Sequence, residues 1–456
     1  MATVVTNPYL TGNFAPVRDE RDDADLEITG ALPPELDGLL VRNGPNPVSD
    51  PDPDAYHWFT GDGMLHGIEL SGGKARFRNR WVRTDGACEE LGETPPAGQP
   101  DDVFVGGTSR ANTHVVPFRD SLYALVEVCL PTEVRHDLST VGRTDFGGAL
   151  RSAMTAHPKL DPRTGELVFF GYDIMGPPWL RYHVISPYGE LVTTEPITLG
   201  GASMVHDFAI TATRVVWFDL PVVYDLSLLD TQPFPAQWNA EYQARVGVMP
   251  RTGTDADVTW IDIDPCYVFH PMNAYDDADG NVVVDVVRYD QMFATDVHGP
   301  GSSAGTTLDR WTIDTAAGRV STERLDDVSQ EFPRIDDRLN GGGVHRYGYT
   351  AEVDIAGEFG PLVGLRKHDL VSGSITRHDV GPGRHAAEPV FAPAAPDSGE
   401  DHGWVLSVVY DEARDASDVV VVDATDFAAP PVATVHLRSR VPYGFHGSWV
   451  AGAGLG

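Results

Sequence analysis

Short apolar runs separated by turn residues recur along the whole chain, and the period is that of strands. LSGGKARF (70–77), DPRTGELVFF (161–170), SPYGELVTT (186–194), DADGNVVVDVV (277–287), DTAAGRVST (314–322) and LVSGSITRH (370–378) each place Gly or Asp-Gly chemistry where a strand must reverse. Helical periods are scarce. The one stretch that suggests short helices or an irregular loop runs from Leu226 to Val246, through LSLLD and PAQWNAEYQARV. No exact repeat is visible. Short strands at regular spacing point to an all-β, closed and radially repeated sheet architecture.

Length and composition narrow this further. The chain has 456 residues, of which 41% are hydrophobic, ample for a core, and large all-β folds often run as one unit, so residues 1–456 are expected to form a single domain. No run approaches the ~20 apolar residues of a spanning helix, and the start MATVVTNPYL lacks the pattern of a signal peptide, which predicts a cytoplasmic protein. Cys88, Cys129 and Cys266 are odd in number and show no CxxC spacing, so buried reduced thiols are expected, without disulfides or structural zinc. Against 33 basic residues stand 67 acidic ones, a net charge of −34. Such a surface repels nucleic acid and gains nothing from anionic lipid. The acids are spread through turns such as DPDPD and DSGEDH, as in a solvated shell.

The candidate chemistry lies in four histidines: His157 in TAHPK, His206 in MVHDF, His270 in FHPMN and His446 in GFHGSW. Neutral imidazoles suit iron, copper, nickel and zinc, so the set by itself does not choose the metal. With the flanking NPYLTGNFAPV, HWFTGDGM and EFPRID segments, the chain from Asn7 to Trp449 resembles the carotenoid cleavage oxygenases. These are non-haem iron enzymes that split conjugated C=C bonds with dioxygen. The resemblance implies Fe(II), held by His157, His206, His270 and His446. It also implies a seven-bladed β-propeller, with a dome of loops and short helices over one end holding a substrate tunnel. The gaps between the histidines are 49, 64 and 176 residues, near one, one and three blades at about 65 residues per blade.

The same resemblance implies an outer shell, because metal-bound histidines usually donate their second N–H to a carboxylate or carbonyl. Glu127, Glu331 and Glu388 stand at the family's positions, where Glu127 would hold His206, Glu331 would hold His270 and Glu388 would hold His446. His157 is left without one. Thr113 matches a family position whose methyl crowds one free coordination position. The other twelve histidines read as surface or hydrogen-bonding residues, with His66, His114 and His345 left open; strand alternation sends His114 away from the axis if Thr113 faces the iron. Phe269 and Phe445, next to ligand histidines, are expected to pack between blades, while Trp58 and Phe59 are candidates for the tunnel.

The resemblance thus implies a dioxygenase that acts on a hydrophobic small molecule and O2 and releases two carbonyl fragments. It needs no organic cofactor and no obligate protein partner. Leu226, Leu228, Leu229, Phe234 and Trp238 resemble the family's apolar tunnel mouth, which implies either peripheral membrane contact or a cap on the dome. Stilbene-cleaving members carry lysine just before the first outer-shell glutamate. This chain has Val126 there, so a carotenoid or apocarotenoid is favoured over a stilbenoid or phenylpropenoid. A third alternative is a silent propeller that only binds a hydrophobic ligand. GGGVHRYGY and GSWVAGAGLG lack nucleotide-loop context, DADG is too short for a calcium loop, and no GxSxG string is present.

Overall fold

The computed structural model describes residues 7–103, 109–294, 296–300, 305–355 and 361–456. Residues 1–6, part of the segment read for a signal peptide, lie outside them. Sheet dominates, and the architecture is a seven-bladed β-propeller. The second, third, fifth and sixth sheets are runs of four consecutive antiparallel strands, and the fourth is four-stranded with the separate hairpin of Val222–Tyr224 and Ala236–Trp238 inserted between its second and third strands. They open with the strands His114–Phe118, Lys159–Leu160, Ala209–Ile210, Tyr267–Asp276 and Gln330–Arg334.

The first and seventh sheets join the two ends of the chain. Gly38–Pro45 pairs with the C-terminal strand Gly447–Ala451, and Glu27–Gly30 pairs with Ala433–His436. Two pairings between residues some 400 positions apart, such as Arg42 with Gly447, fasten the termini without any covalent link. By chain contacts the described structure divides into two compact units, residues 1–151, 362–366 and 376–456 in one and 152–361 with 367–375 in the other. In the first, Leu40, Ile68, Phe77, Leu406, Val419, Val421 and Val435 share one core. In the second, Phe208 stacks on the fully buried Trp217 at 5.5 Å.

All six turns read from sequence fall between adjacent paired strands, and each contains a glycine in the left-handed region, as at Gly165 (φ +71°) and Gly280 (φ +86°). A side chain there would be strained, which is why the sequence places glycine where the strand reverses. Central strands such as Ala416–Asp423 are buried on both faces, and their valine runs follow from that. Fourth strands such as Leu191–Thr198 alternate between half-buried and exposed residues and read TTEPIT.

One local reading needs correction in part. In the stretch 226–246, LSLLD forms the short 3-10 helix Leu226–Asp230 as expected, whereas Ala236–Trp238 is a strand paired with Val222–Tyr224 and Arg245 begins the strand Arg245–Pro250. The α-helix lies elsewhere, at Asp85–Leu91, where Thr84 caps the N-terminus by accepting from the Ala87 N–H and Gly92 closes it in the left-handed region (φ +69°). No helix among the described residues is long and apolar enough to cross a membrane. All three cysteines are buried and free.

Candidate metal centre

The four histidines stand at or beside the terminal strand of four different sheets. His157 precedes Lys159–Leu160, His206 precedes Ala209–Ile210, His270 is inside Tyr267–Asp276, and His446 precedes Gly447–Ala451. In chain order these belong to the third, fourth, fifth and first sheets, so the gaps of 49, 64 and 176 residues do span one, one and three sheets.

Three of the four sit on irregular backbone, whose polar groups need partners from outside a ladder. The segment carrying His206 is pinned by hydroxyls: Tyr267 donates to the Met204 carbonyl at 3.0 Å and Tyr172 to that of Val205 at 2.5 Å. The His157 N–H donates to Thr155 Oγ1 at 3.1 Å. The His446 N–H donates to the Thr113 carbonyl at 3.1 Å, and its own carbonyl accepts from Asn43 N–H at 3.0 Å.

One ligand atom from each of His157, His206, His270 and His446 lies within 4.8 Å of the others, and all four residues are buried. Nε2 of His206 is 3.0 Å from Nε2 of His157 and 3.1 Å from Nε2 of His270. Two rings have their other nitrogen engaged. Nδ1 of His270 lies 2.8 Å from Glu331 Oε2, and Nδ1 of His446 lies 2.9 Å from Glu388 Oε1. With Nδ1 donating to a carboxylate, the proton sits there and the Nε2 lone pair is left free as a ligand. Several lone pairs converging at about 3 Å repel one another unless a cation lies between them, so this donor set fits a divalent metal.

Each carboxylate is itself held. Glu331 accepts from the Tyr289 hydroxyl at 2.9 Å and from the N–H of Phe332, whose φ of +55° turns its ring flat against His270 at 5.9 Å. Glu388 accepts from the Gly447 N–H at 2.8 Å and feels the positive charge of Arg42. His157 differs. Its Nδ1 is 3.9 Å from Asp207 Oδ2, and both oxygens of Asp207 are taken by Lys159, at 2.7 and 2.9 Å. Sequence reasoning missed Asp207, Lys159, Tyr289 and Arg42 as site residues; Asp207 in MVHDF and Lys159 in TAHPK lie within the quoted motifs and offered a local signal, whereas Tyr289 and Arg42 did not.

Glu127 is buried, at 7% exposure, and Thr113 is half-buried with its hydroxyl donating to Asn112 Oδ1 at 3.0 Å. The ring of His114 packs 5.2 Å from that of His446. Phe269, on the fifth sheet, meets His206 at the start of the fourth edge-on at 4.9 Å, so it packs between neighbouring blades as expected. The strand register shifts between Val268 and Pro271, on either side of Phe269 and His270. Phe445 packs as expected in a core, but that core is Tyr9, Tyr56 and Trp58, so Trp58 is buried within an aromatic cluster beside a ligand histidine.

Several of the remaining histidines have structural work. His57 caps the turn Trp58–Thr60, His183 lies 2.8 Å from Ser152 Oγ, His378 lies 3.1 Å from the Phe427 carbonyl, and His436 lies 2.8 Å from Asp418. His345 is buried 3.2 Å from Asp285, and burial beside Arg42 pushes His66 down to about 3.

Comparison with known proteins agrees with this geometry. The family model described as retinal pigment epithelial membrane protein matches residues 14–451. A carotenoid cleavage oxygenase of Mycobacterium tuberculosis is 41% identical, with 97% of each chain covered. Among solved structures, a lignostilbene dioxygenase of Pseudomonas brassicacearum superposes with a TM-score of 0.87 at 31% identity, covering 98% of both chains. A cobalt-substituted ACO of Synechocystis gives 0.84 at 28% identity, covering 96% of this chain and 97% of that one.

Proposed function

The chain belongs to the carotenoid cleavage oxygenase family and is a dioxygenase, and from that premise we propose that it uses Fe(II) to cleave one conjugated C=C bond of a carotenoid or apocarotenoid. The observation that carries this reading is the convergence of four buried imidazoles, two of them backed by buried glutamates. The balance is closed: the C=C bond breaks, and each former alkene carbon takes one atom of O2 as a carbonyl oxygen. No reductant or organic cofactor is required. A ferrous ion in this site would supply the unpaired electrons that let triplet dioxygen react with a closed-shell alkene.

The chain's own residues supply position and exclude water. Glu331 and Glu388 fix the rings of His270 and His446, and Glu127 is proposed to do the same for His206. Thr113 is proposed to narrow access to the centre with its methyl. No side chain acts as acid or base, and an apolar tunnel would choose the bond by the depth to which a polyene enters. Leu226 and Leu229, 41% and 54% exposed, with the half-buried Leu228 and Phe234, are proposed as a rim that takes hydrophobic substrate from a membrane surface. The unit of function is the whole chain, 1–456.

The test is iron analysis together with oxygen uptake and product identification on an apocarotenal. One iron per chain and two carbonyl products are expected; an iron-loaded protein that consumes no oxygen with any polyene would sink the proposal. A second reading, cleavage of a stilbenoid, is favoured by the likeness to a lignostilbene dioxygenase. Val126, half-buried, separates the two. A phenolate buried without a cation carries a desolvation cost of several kcal/mol. Wild-type protein should therefore turn over an apocarotenal in preference to a hydroxystilbene, and Val126→Lys should shift the ratio toward the stilbene. Efficient hydroxystilbene cleavage by unmodified protein would promote the second reading.

A further inference from the structure

The outermost polar contact on the His270 side of the centre comes from Tyr289, the last residue of the strand Val282–Tyr289 and the register partner of Tyr267. Its side chain is buried, and its hydroxyl donates to Glu331 Oε1 at 2.9 Å while Oε2 of the same carboxylate faces His270 Nδ1 at 2.8 Å. Burial and the charge of Glu331 hold this phenol well above its ordinary pKa, so it is a fixed donor. Its ring also meets Phe269 edge-on at 5.6 Å, and Phe269 in turn meets His206 at 4.9 Å. One residue thus touches the carboxylate behind one cluster histidine and the aromatic wall beside another.

We propose that Tyr289 is a positioning residue for the metal centre: its O–H locks the Glu331 carboxylate so that Oε2 meets His270 Nδ1, and it withdraws charge that Glu331 would otherwise press onto that imidazole. The reasoning is that of a relay. Without that O–H, Oε1 loses its partner while Oε2 keeps the Phe332 N–H and His270; the carboxylate is then less firmly oriented, which weakens the hold on any metal, and more basic, which gives the ring more imidazolate character and shifts the remaining preference toward a trivalent ion. A carboxylate with both oxygens engaged is fixed and less basic. The tyrosine therefore favours the divalent state of whatever metal the histidines hold. This rests on the reading of the four histidines as a metal centre.

Cobalt(II) is the probe, because its visible absorption reports ligand geometry without turnover. Cobalt affinity is measured by competition with a chelator for wild type, Tyr289→Phe, Glu331→Gln and the double variant. Tyr289→Phe is expected to weaken cobalt binding about three- to tenfold, below the 10–100-fold typical of carboxylates in direct contact with a ligand. In the Glu331→Gln background the same change is expected to have no further effect, since the relay is already cut. Additive losses, or equal affinity of wild type and Tyr289→Phe, would overturn the proposal.

Should Tyr289→Phe lower the melting temperature of the metal-free protein, a size-matched probe replaces it: 3-fluorotyrosine at position 289, a stronger donor. With iron loaded, the ferric/ferrous potential should rise with fluorotyrosine and fall with phenylalanine. A purely structural role gives no such opposite signs, and shifts of the same sign would refute the relay. Failure of wild-type protein to bind cobalt at all would instead refute the metal centre itself, so the two outcomes are distinct.

Discussion

Glu331 and Glu388 each hold Nδ1 of a cluster histidine, at 2.8 and 2.9 Å, but they are compensated in different ways. Around Glu331 the partners are neutral dipoles, the Tyr289 hydroxyl and the Phe332 N–H. Glu388 has the Gly447 N–H and, in addition, the field of Arg42. Arg42 is buried, its Nη1 donates to the Pro442 carbonyl at 3.1 Å, and burial lowers its pKa to about 10 against the opposing pull of Glu388. The difference teaches that similar contacts on a ligand carry different obligations. A carboxylate balanced by dipoles serves the metal alone, whereas one that also balances a buried cation serves the fold as well.

The largest effects test whether both sides belong to one centre. His270→Ala and His446→Ala should each abolish stoichiometric iron, measured by elemental analysis, because each removes one of four ligands. Full occupancy in either variant would remove that histidine from the set. The next effect separates the two sides. Glu331→Gln and Glu388→Gln should both loosen the metal by about 10–100-fold, but only Glu388→Gln should destabilise the metal-free protein, by on the order of 1–3 kcal/mol, because it leaves the Arg42 charge without its buried counter-charge. Equal denaturant midpoints for the two metal-free variants would break the comparison.

A smaller effect reads the Arg42 side through pH. His66 lies against Arg42, and burial first, then that positive charge, push its pKa from 6.5 down to about 3. The folded value lies below the unfolded one, so between these pH values the unfolded chain binds the extra proton. The stability that neutral His66 contributes is complete above about pH 6.5 and is lost as pH falls toward 3. In metal-free protein, His66→Gln should flatten the decline of stability from pH 7 to pH 5, whereas Glu331→Gln should not. An unchanged slope in His66→Gln would assign the acid sensitivity to other groups, with His183, pushed by burial to about 4, the next to test.

Much of the fold was legible because its signals are local. The six glycine turns read from sequence each fall between paired strands, and the histidine spacing counted sheets correctly. The helix Asp85–Leu91 was equally legible, with Thr84 and Gly92 as its two caps, but its seven residues are too short for a helical period to stand out. The register shift beside Phe269 was not legible, because it depends on how Tyr267–Asp276 meets its neighbour strand. Arg42 looked like any strand arginine until Gly447 became its register partner.

By itself the sequence determined the strand period, the turns and the acidic shell, because each is written in residue types within a few positions of one another, and it pointed to the four histidines and their glutamates because several short motifs, each weak alone, occur together in the family's order. Tertiary structure alone decided which donors compensate which carboxylate. Glu331 reaches back 61 residues to His270 and 42 to Tyr289, and Glu388 reaches forward 58 to His446. Charge balance in a buried site depends on distances across strands, and those distances are fixed only when the sheets have packed.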